Sequence, residues 1–199
     1  MYINFIKRFL DILLSLLVLP FIFLVFIVIA PIIYFSDKGA IFYNAIRVGK
    51  DFKEFKMYKF RSMKVNAFDL RNADGSTYNS NDDPRVTKIG KFIRKTSIDE
   101  LPQIINVLKG DMSFIGPRPI LPGYDLLTYT DDMYKRMTVR PGITGYSQAY
   151  FRNSINRMQK YINDAYYVEH LSFKFDVQIL VKTFMSVIKQ QHINSDNYE

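Results

Sequence analysis

The chain contains no cysteine, no tryptophan and only two histidines, His170 and His192, in 199 residues. Without cysteine there is no disulfide, no thiolate nucleophile and no sulfur ligand for a metal, and an intracellular compartment is permitted without being proved. Two histidines are too few for a histidine-rich zinc centre or for most histidine relays. Chemistry in this chain must therefore run on carboxylates, cationic side chains and hydroxyls, with or without a hard cation. Acidic residues are also in the minority, 19 against 27 Lys and Arg, and the formal charge of +8 attracts nucleotides, phospholipid headgroups or nucleic acid without choosing among them. At this length the expectation is one compact catalytic domain around a single core, with no internal repeat or low-complexity tail.

What the chain has in abundance is apolar sequence at its start. From Ile12 through Ser36 there is no charged residue, and as a helix this run extends about 37 Å, enough for a bilayer. A signal peptide fits less well, because the run is too long and lacks an Ala-x-Ala exit. A buried helix of a soluble protein fits less well too, because so short a chain can hardly surround it. Pro20 lies inside the run, deletes one intrahelical hydrogen bond and predicts a kink; Pro31 lies near the far end. Lys7, Arg8 and Asp11 precede the run while Asp37 and Lys38 follow it. A straight spanning helix puts one basic flank outside, against the positive-inside tendency, whereas a helix broken at Pro20 returns to the face it entered. Both topologies stay open on these residues, since a re-entrant break needs its freed carbonyls satisfied by headgroups, by Ser15 or by neighbouring protein.

Beyond this run, Ala40–Val48 and Phe52–Phe60 read as two short strands, or as a strand and an interfacial helix, around Gly49, Lys50 and Asp51. Asp69–Pro84 is rich in Asp, Asn, Ser and Gly and predicts a surface loop around Asp74-Gly75. Arg85 to Lys95 reads as a folded basic rim. Leu101, Ile104, Ile105 and Leu108 recur at helical spacing, with Gly110 as the stop. At the entrance of this helix either Ser97 or Asp99 caps, the second choice placing Pro102 in the tolerant first turn. Either register leaves Asp99 and Glu100 where unpaired amides favour phosphate.

Neighbouring helical residues point in different directions, so Asp99 and Glu100 suit distinct tasks around one phosphoryl group better than a twinned carboxylate pair. The plain alternative is that they only cap and solvate the helix. Gly116-Pro117-Arg118-Pro119 holds Arg118 on a stiff backbone, suited to phosphate or simply to a basic surface turn. Arg140-Pro141-Gly142-Ile143-Thr144-Gly145 is a second rigid loop, followed by Arg152 and Asn153. Met158, Tyr161, Ile162, Ala165 and Tyr166 form a helical pattern whose tyrosines suit packing better than a nucleobase platform. The last helix, about Phe173 to Lys189, sets Phe175, Ile179, Val181, Phe184, Met185 and Ile188 against scattered charge. It either covers the core or lies in the membrane interface.

In combination these segments are specific. Lys59-Phe60-Arg61-Ser62-Met63, Asp83-Pro84-Arg85-Val86-Thr87, Ser97-Ile98-Asp99-Glu100-Leu101-Pro102-Gln103, Asn106 through Ser113, Gly116-Pro117-Arg118-Pro119 and Arg140 through Gly145 follow the Pro-interrupted apolar start. In that order and spacing the chain resembles the small monotopic phosphoglycosyl transferases, the bacterial sugar transferase family that initiates surface glycan and glycoprotein assembly. The resemblance implies an α+β fold: a small membrane-associated catalytic domain of helices with short strands over residues 39–199. Residues 1–38 would be a re-entrant membrane helix kinked at Pro20, leaving both termini cytoplasmic at the bacterial inner membrane. The family often has Ser before that proline where this chain has Leu19, which leaves open how the break is satisfied here. No multi-span portion or second nucleotide-binding domain is expected before Ile12.

The resemblance further places the family's catalytic Asp-Glu pair on Asp99 and Glu100, with Arg94, Arg118 and Arg152 as phosphate-facing cations. It implies that Asp99 attacks the sugar-linked phosphorus of a UDP-sugar and that polyprenyl phosphate then takes the phosphosugar. Mg2+ is the implied cofactor, with Asp99 a ligand and Glu100 either orienting the metal or assisting proton removal. Expected partners are UDP-sugar, polyprenyl (undecaprenyl) phosphate and membrane phospholipids, with a homo-oligomer or pathway glycosyltransferases also compatible. The rival reading is a non-catalytic membrane-anchored scaffold for anionic lipids. A nucleic-acid module is disfavoured, since no docking fold accompanies the basic residues.

Overall fold

A computed structural model describes residues 2–70, 78, 80, 82–123, 130–152 and 154–188. The chain opens with a π-helical turn, Tyr2–Ile6, that runs into the long helix α1, Lys7–Asp37. Helix α1 continues through both Pro20 and Pro31. It ends at Lys38, a left-handed residue whose amide bonds the Tyr34 carbonyl. Proline removes the amide that would meet the carbonyl of Leu16. Ser15, expected as one donor for that break, instead gives its hydroxyl to the Asp11 carbonyl at 2.6 Å, one turn earlier.

Most of α1 presents its apolar side chains outward: Phe21 is 69% exposed and Leu24 61%. A helix buried in a soluble core would show the reverse. Its two ends, however, are tied to the same folded body. Near the start, Arg8 donates to the carbonyls of Val107 and Leu108, and Asp11 accepts from the Ser113 hydroxyl and the Phe114 amide. Near the finish, Ile29 and Ile33 pack with Phe60 and Ile93 in one core cluster. Asp37 then takes a two-pronged ion pair from Arg61, with both oxygens 2.6 Å from guanidinium nitrogens.

Strands β1, Phe42–Val48, and β2, Glu54–Phe60, pair antiparallel through a single-turn 3-10 connection, Lys50–Phe52. Of the two readings of this region, the pair of strands is the one observed. Helix α2, Lys88–Lys95, is capped by the Thr87 hydroxyl and forms the basic segment anticipated from Arg85 onward. The surface loop expected over Asp69–Pro84 falls mostly outside the described residues.

A 3-10 turn, Ile98–Gln103, leads directly into α3, Ile104–Lys109, and Gly110 ends it at φ +88°, the backbone region glycine enters without strain. Neither cap proposed for this entrance forms. Ser97 precedes the turn but makes no side-chain cap bond, and Asp99 lies one residue inside it.

The two rigid loops meet backbone to backbone. Strands β3, Ser113–Ile115, and β4, Gly142–Thr144, form a parallel pair, and the Gly142 amide bonds the Pro117 carbonyl at 2.9 Å. A β-carbon on Gly142 would stand 2.1 Å from the Gly116 amide nitrogen, which explains a glycine in both loops. Short helices α4, Asp131–Arg136, and α5, Tyr146–Tyr150, precede α6, Arg157–Glu169, and α7, Phe173–Ile188. The whole is the α+β arrangement of helices with short strands that the family resemblance implies.

Both late helices bury polar residues along with apolar ones. Helix α6 buries Tyr161, Asp164, Ala165 and Tyr167 while Met158, Ile162 and Tyr166 stay exposed. Helix α7 buries Ile179, Asp176 and Ser186, and shows Phe173, Val177, Leu180, Val181 and Phe184 to the outside. Tyr161 packs as expected, in a cluster with Val48, Ile120, Met133 and Met137.

Candidate active site

The site begins with a lysine on a strand. Phe55 and Met57 point from β2 into one core cluster, and Lys59 is the next residue of the same parity. An ammonium reaching inward needs anionic partners, and it has two: Glu100 Oε1 at 2.8 Å and Asp99 Oδ2 at 3.4 Å. Asp99 and Glu100 are presented by the 3-10 turn, where successive side chains diverge by about 120°. Ser97 enters that turn at φ +58°, a left-handed value for a residue with a side chain. Such a backbone costs about 1 kcal/mol or more and is held by the surrounding fold.

Neither carboxylate caps its own helix, so the plain capping account of Asp99-Glu100 does not describe them. Their partners come from elsewhere in the chain. Arg118 extends from the β3–α4 loop and donates to Glu100 Oε1 at 3.1 Å with its side chain 53% exposed. Arg94, in the last turn of α2, is fixed by donating from Nε to the Ser62 hydroxyl at 2.8 Å, and its charge acts on Asp99. Arg152, at φ +48° just after α5, acts on Glu100 through space. The structure thus joins Glu100 and Arg118 in direct contact beside Asp99 and sets Arg94 and Arg152 within electrostatic reach of the two acids. It adds Lys59, which the sequence reading quoted in a motif but did not assign to the site. The usable signal was a cation at the next inward position after Phe55 and Met57.

The two acids are electrostatically unequal. Burial pushes the Asp99 carboxyl above the ordinary aspartate range, against the pull of Lys59. Burial acts on Glu100 in the same direction, but Lys59 and Arg118 together outweigh it and hold Glu100 at about 2. Glu100 is therefore a fixed anion anchored between two cations. Asp99 is the more basic carboxylate and has the looser contact with Lys59. The two neighbouring carboxylates therefore differ in both basicity and anchoring.

Directly beside this polar cluster lies an apolar cleft of about 410 Å³. Leu19, Pro20, Phe23 and Phe26 of α1 form one wall, and Phe42, Phe60, Pro102 and Ile105 form the other. Phe60 adjoins Lys59 in sequence, and Pro102 belongs to the turn that carries Asp99. Phe26, Phe42 and Phe60 stack with ring centroids 5.5–6.2 Å apart. A water-facing arginine, a buried aspartate with its partly buried glutamate neighbour, and an apolar cleft against α1 thus lie side by side.

Among known proteins, the sequence profile of the bacterial sugar transferase family matches residues 2–190. The chain belongs to the bacterial sugar transferase family. It is 43% identical over 158 residues to a Bacillus subtilis protein named as an uncharacterized sugar transferase, covering 79% of this chain and 75% of that one. It is 36% identical to the undecaprenyl-phosphate galactose phosphotransferase of Salmonella typhimurium, over 94% of this chain and 41% of that protein. It is 38% identical to the UDP-glucose:undecaprenyl-phosphate glucose-1-phosphate transferase of Escherichia coli, over 92% of this chain and 39% of that protein. The chain therefore spans about two-fifths of the length of these two longer family members.

The charge arrangement of this family member makes a titration prediction. Removing an opposite charge removes a cause that lowers a carboxyl pKa, so Lys59→Met raises the pKa of both Asp99 and Glu100. Infrared titration of the carboxyl bands, assigned with Asp99→Asn, should show Asp99 protonating at higher pH in the variant than in the parent. An unmoved Asp99 band contradicts the Lys59 contact.

Proposed function

We propose that this protein transfers a phosphosugar from a UDP-sugar to a polyprenyl phosphate, releasing UMP, as the first membrane step of glycan or glycoconjugate assembly. The observation that carries the reading is the pairing of one basic, buried carboxylate, Asp99, with one anchored anion, Glu100, on the same turn whose Pro102 lines an apolar cleft. A nucleotide sugar is water-borne and its acceptor is a lipid, so an enzyme joining them needs a polar pocket and a lipid-sized slot side by side. A scaffold for anionic lipids has no use for two carboxylates under three arginines.

In the first step an Asp99 oxygen attacks the sugar-linked phosphorus, forming an acyl phosphate as the bond to the UMP oxygen breaks and UMP leaves with that electron pair. In the second, a phosphate oxygen of the polyprenyl phosphate attacks the same phosphorus, and the Asp99 carboxylate is released. The proton count is unchanged over the two steps. Arg118, half in water, meets the incoming diphosphate, with Arg94 on the Asp99 side and Arg152 on the Glu100 side. The cleft between Pro20 and Pro102 takes the first isoprene units, so the acceptor phosphate arrives beside Asp99.

Among the described residues no three or more acidic or histidine side chains cluster as a metal cage. The adjacent Asp99 and Glu100 oxygens nevertheless suit Mg2+, which commonly takes one or two carboxylates and completes its shell with phosphate and water. When bound there it would neutralise the charge of the diphosphate.

The anchor is read as re-entrant, with residues 1–38 in the inner membrane and 39–199 at its cytoplasmic face. Arg8 and Asp11 touch the domain at one end of α1, and Ile33 and Asp37 touch it at the other. Contacts from one domain at both ends of the helix support a topology that keeps both ends on the same side of a bilayer. The outward apolar row of α7 is suited to the same interface. Labels near Tyr2 and on the α6–α7 connection should share accessibility in sealed, oriented vesicles; opposite accessibility rejects this topology.

Purified protein incubated with Mg2+, a short polyprenyl phosphate and a panel of UDP-sugars should release UMP with one of them, and chelation should stop the release. Asp99→Asn, with membrane association and unfolding behaviour retained, should lose more than about a thousandfold in rate. UMP release by that variant at the parent rate would remove Asp99 from the chemistry. No release from any UDP-sugar would leave the lipid scaffold as the better account.

A further inference from the structure

Two of the three arginines at the site are rooted in a single buried ion pair that touches neither carboxylate. Arg136 of α4 and Asp164 of α6 have side chains 2% exposed, and Arg136 Nε and Nη2 both reach Asp164 Oδ2, at 3.0 and 2.8 Å. The same Nη2 donates to the main-chain carbonyl of Arg118 at 2.6 Å. The other Asp164 oxygen, Oδ1, accepts from the Ser147 hydroxyl at 3.0 Å. The Ser147 carbonyl in turn accepts from the amide of Arg152 at 2.9 Å, where the chain leaves α5 in the left-handed region. The Tyr161 ring lies under the Arg136 guanidinium, 4.8 Å away, and closes the pair from below.

Burying two charges is expensive, and an apolar pair of the same shape would often serve stability as well or better. A buried pair with side branches to two functional loops does what an apolar pair cannot: it supplies directed hydrogen bonds that fix backbone position. Arg118 lies between Pro117 and Pro119, so with its carbonyl pinned its guanidinium swings from a fixed root. Arg152 carries a strained backbone held through Ser147.

We propose that Arg136, Asp164 and Ser147 form a positioning brace that sets Arg118 and Arg152 at the spacing needed to grip the diphosphate of the donor. None of the three touches the reacting atoms. The proposal rests on the reading of Arg118 and Arg152 as donor-binding cations, and its test separates the two.

The test is a double-mutant cycle on the full chain in a membrane mimic, using the UDP-sugar that supports UMP release. Ser147→Ala deletes one hydroxyl and should raise KM for that donor about 3- to 10-fold, with kcat changed less and unfolding near the parent's. Arg152→Ala alone should also raise KM. In the Arg152→Ala background, adding Ser147→Ala should change KM less than twofold, because the residue it positions is gone. Asp164→Asn should raise KM more than Ser147→Ala, since it loosens both roots; if it does not fold, the Ser147 cycle decides alone. Equal fold-changes from Ser147→Ala in both backgrounds overturn the brace while leaving the donor-binding reading intact. An unchanged KM in Arg152→Ala overturns that reading, and the brace with it.

Discussion

Lys59 sits between two carboxylates that are neighbours in sequence, and its ammonium offsets much of the cost of drawing them out of water. Two adjacent acids withdrawn from water repel each other and lose hydration; one compensating charge within hydrogen-bond reach offsets both losses. The consequences run outward from this contact. Glu100 is fixed by Lys59 and Arg118 and remains ionised, while Asp99, with the looser contact and the deeper burial, keeps its basicity. Breaking a buried pair by deleting one partner commonly costs about 3–5 kcal/mol, so the lysine supports the local fold and the chemistry together.

The membrane helix belongs to the same construction rather than hanging from it as a tether. Arg8 caps the C-terminal carbonyls of α3, whose N-terminus carries on from the Asp99-Glu100 turn. At the other end Asp37 clamps Arg61, two residues from Lys59. Between these anchors, Pro20 and its neighbours face Phe60 and Pro102 across the apolar cleft. Displacing α1 would therefore disturb the strand that presents the lysine and the turn that presents the acids, which couples membrane seating to the geometry of the site.

Much of this was legible in the sequence where the signal was local. The uncharged run announced α1, Gly110 announced the end of α3, and the Pro-Gly loops announced stiff backbone. What local signals missed were partnerships between distant residues. Capping rules pointed to Ser97 or Asp99, but the acids turn away to a lysine some forty residues earlier in the chain. Apolar periodicity marked the apolar row of α7 as a possible core face, yet Asp176 is buried there because Tyr2, Lys7 and Tyr167 satisfy it. Likewise nothing in the sequence near Arg136 or Asp164 shows that they meet. Periodicity reports burial of apolar residues and is silent about polar residues buried in pairs.

Asp99, rather than the neighbouring Glu100, is the residue proposed to take the phosphosugar. Enzyme charged with donor in the absence of acceptor, then reduced with borohydride, records the answer in its peptides, because an acyl phosphate on aspartate is reduced to homoserine whereas one on glutamate yields the next longer alcohol. Homoserine at position 99 and unmodified glutamate at position 100 are expected. The longer alcohol at position 100, or donor turnover that leaves both positions unreduced, would contradict the assignment to Asp99.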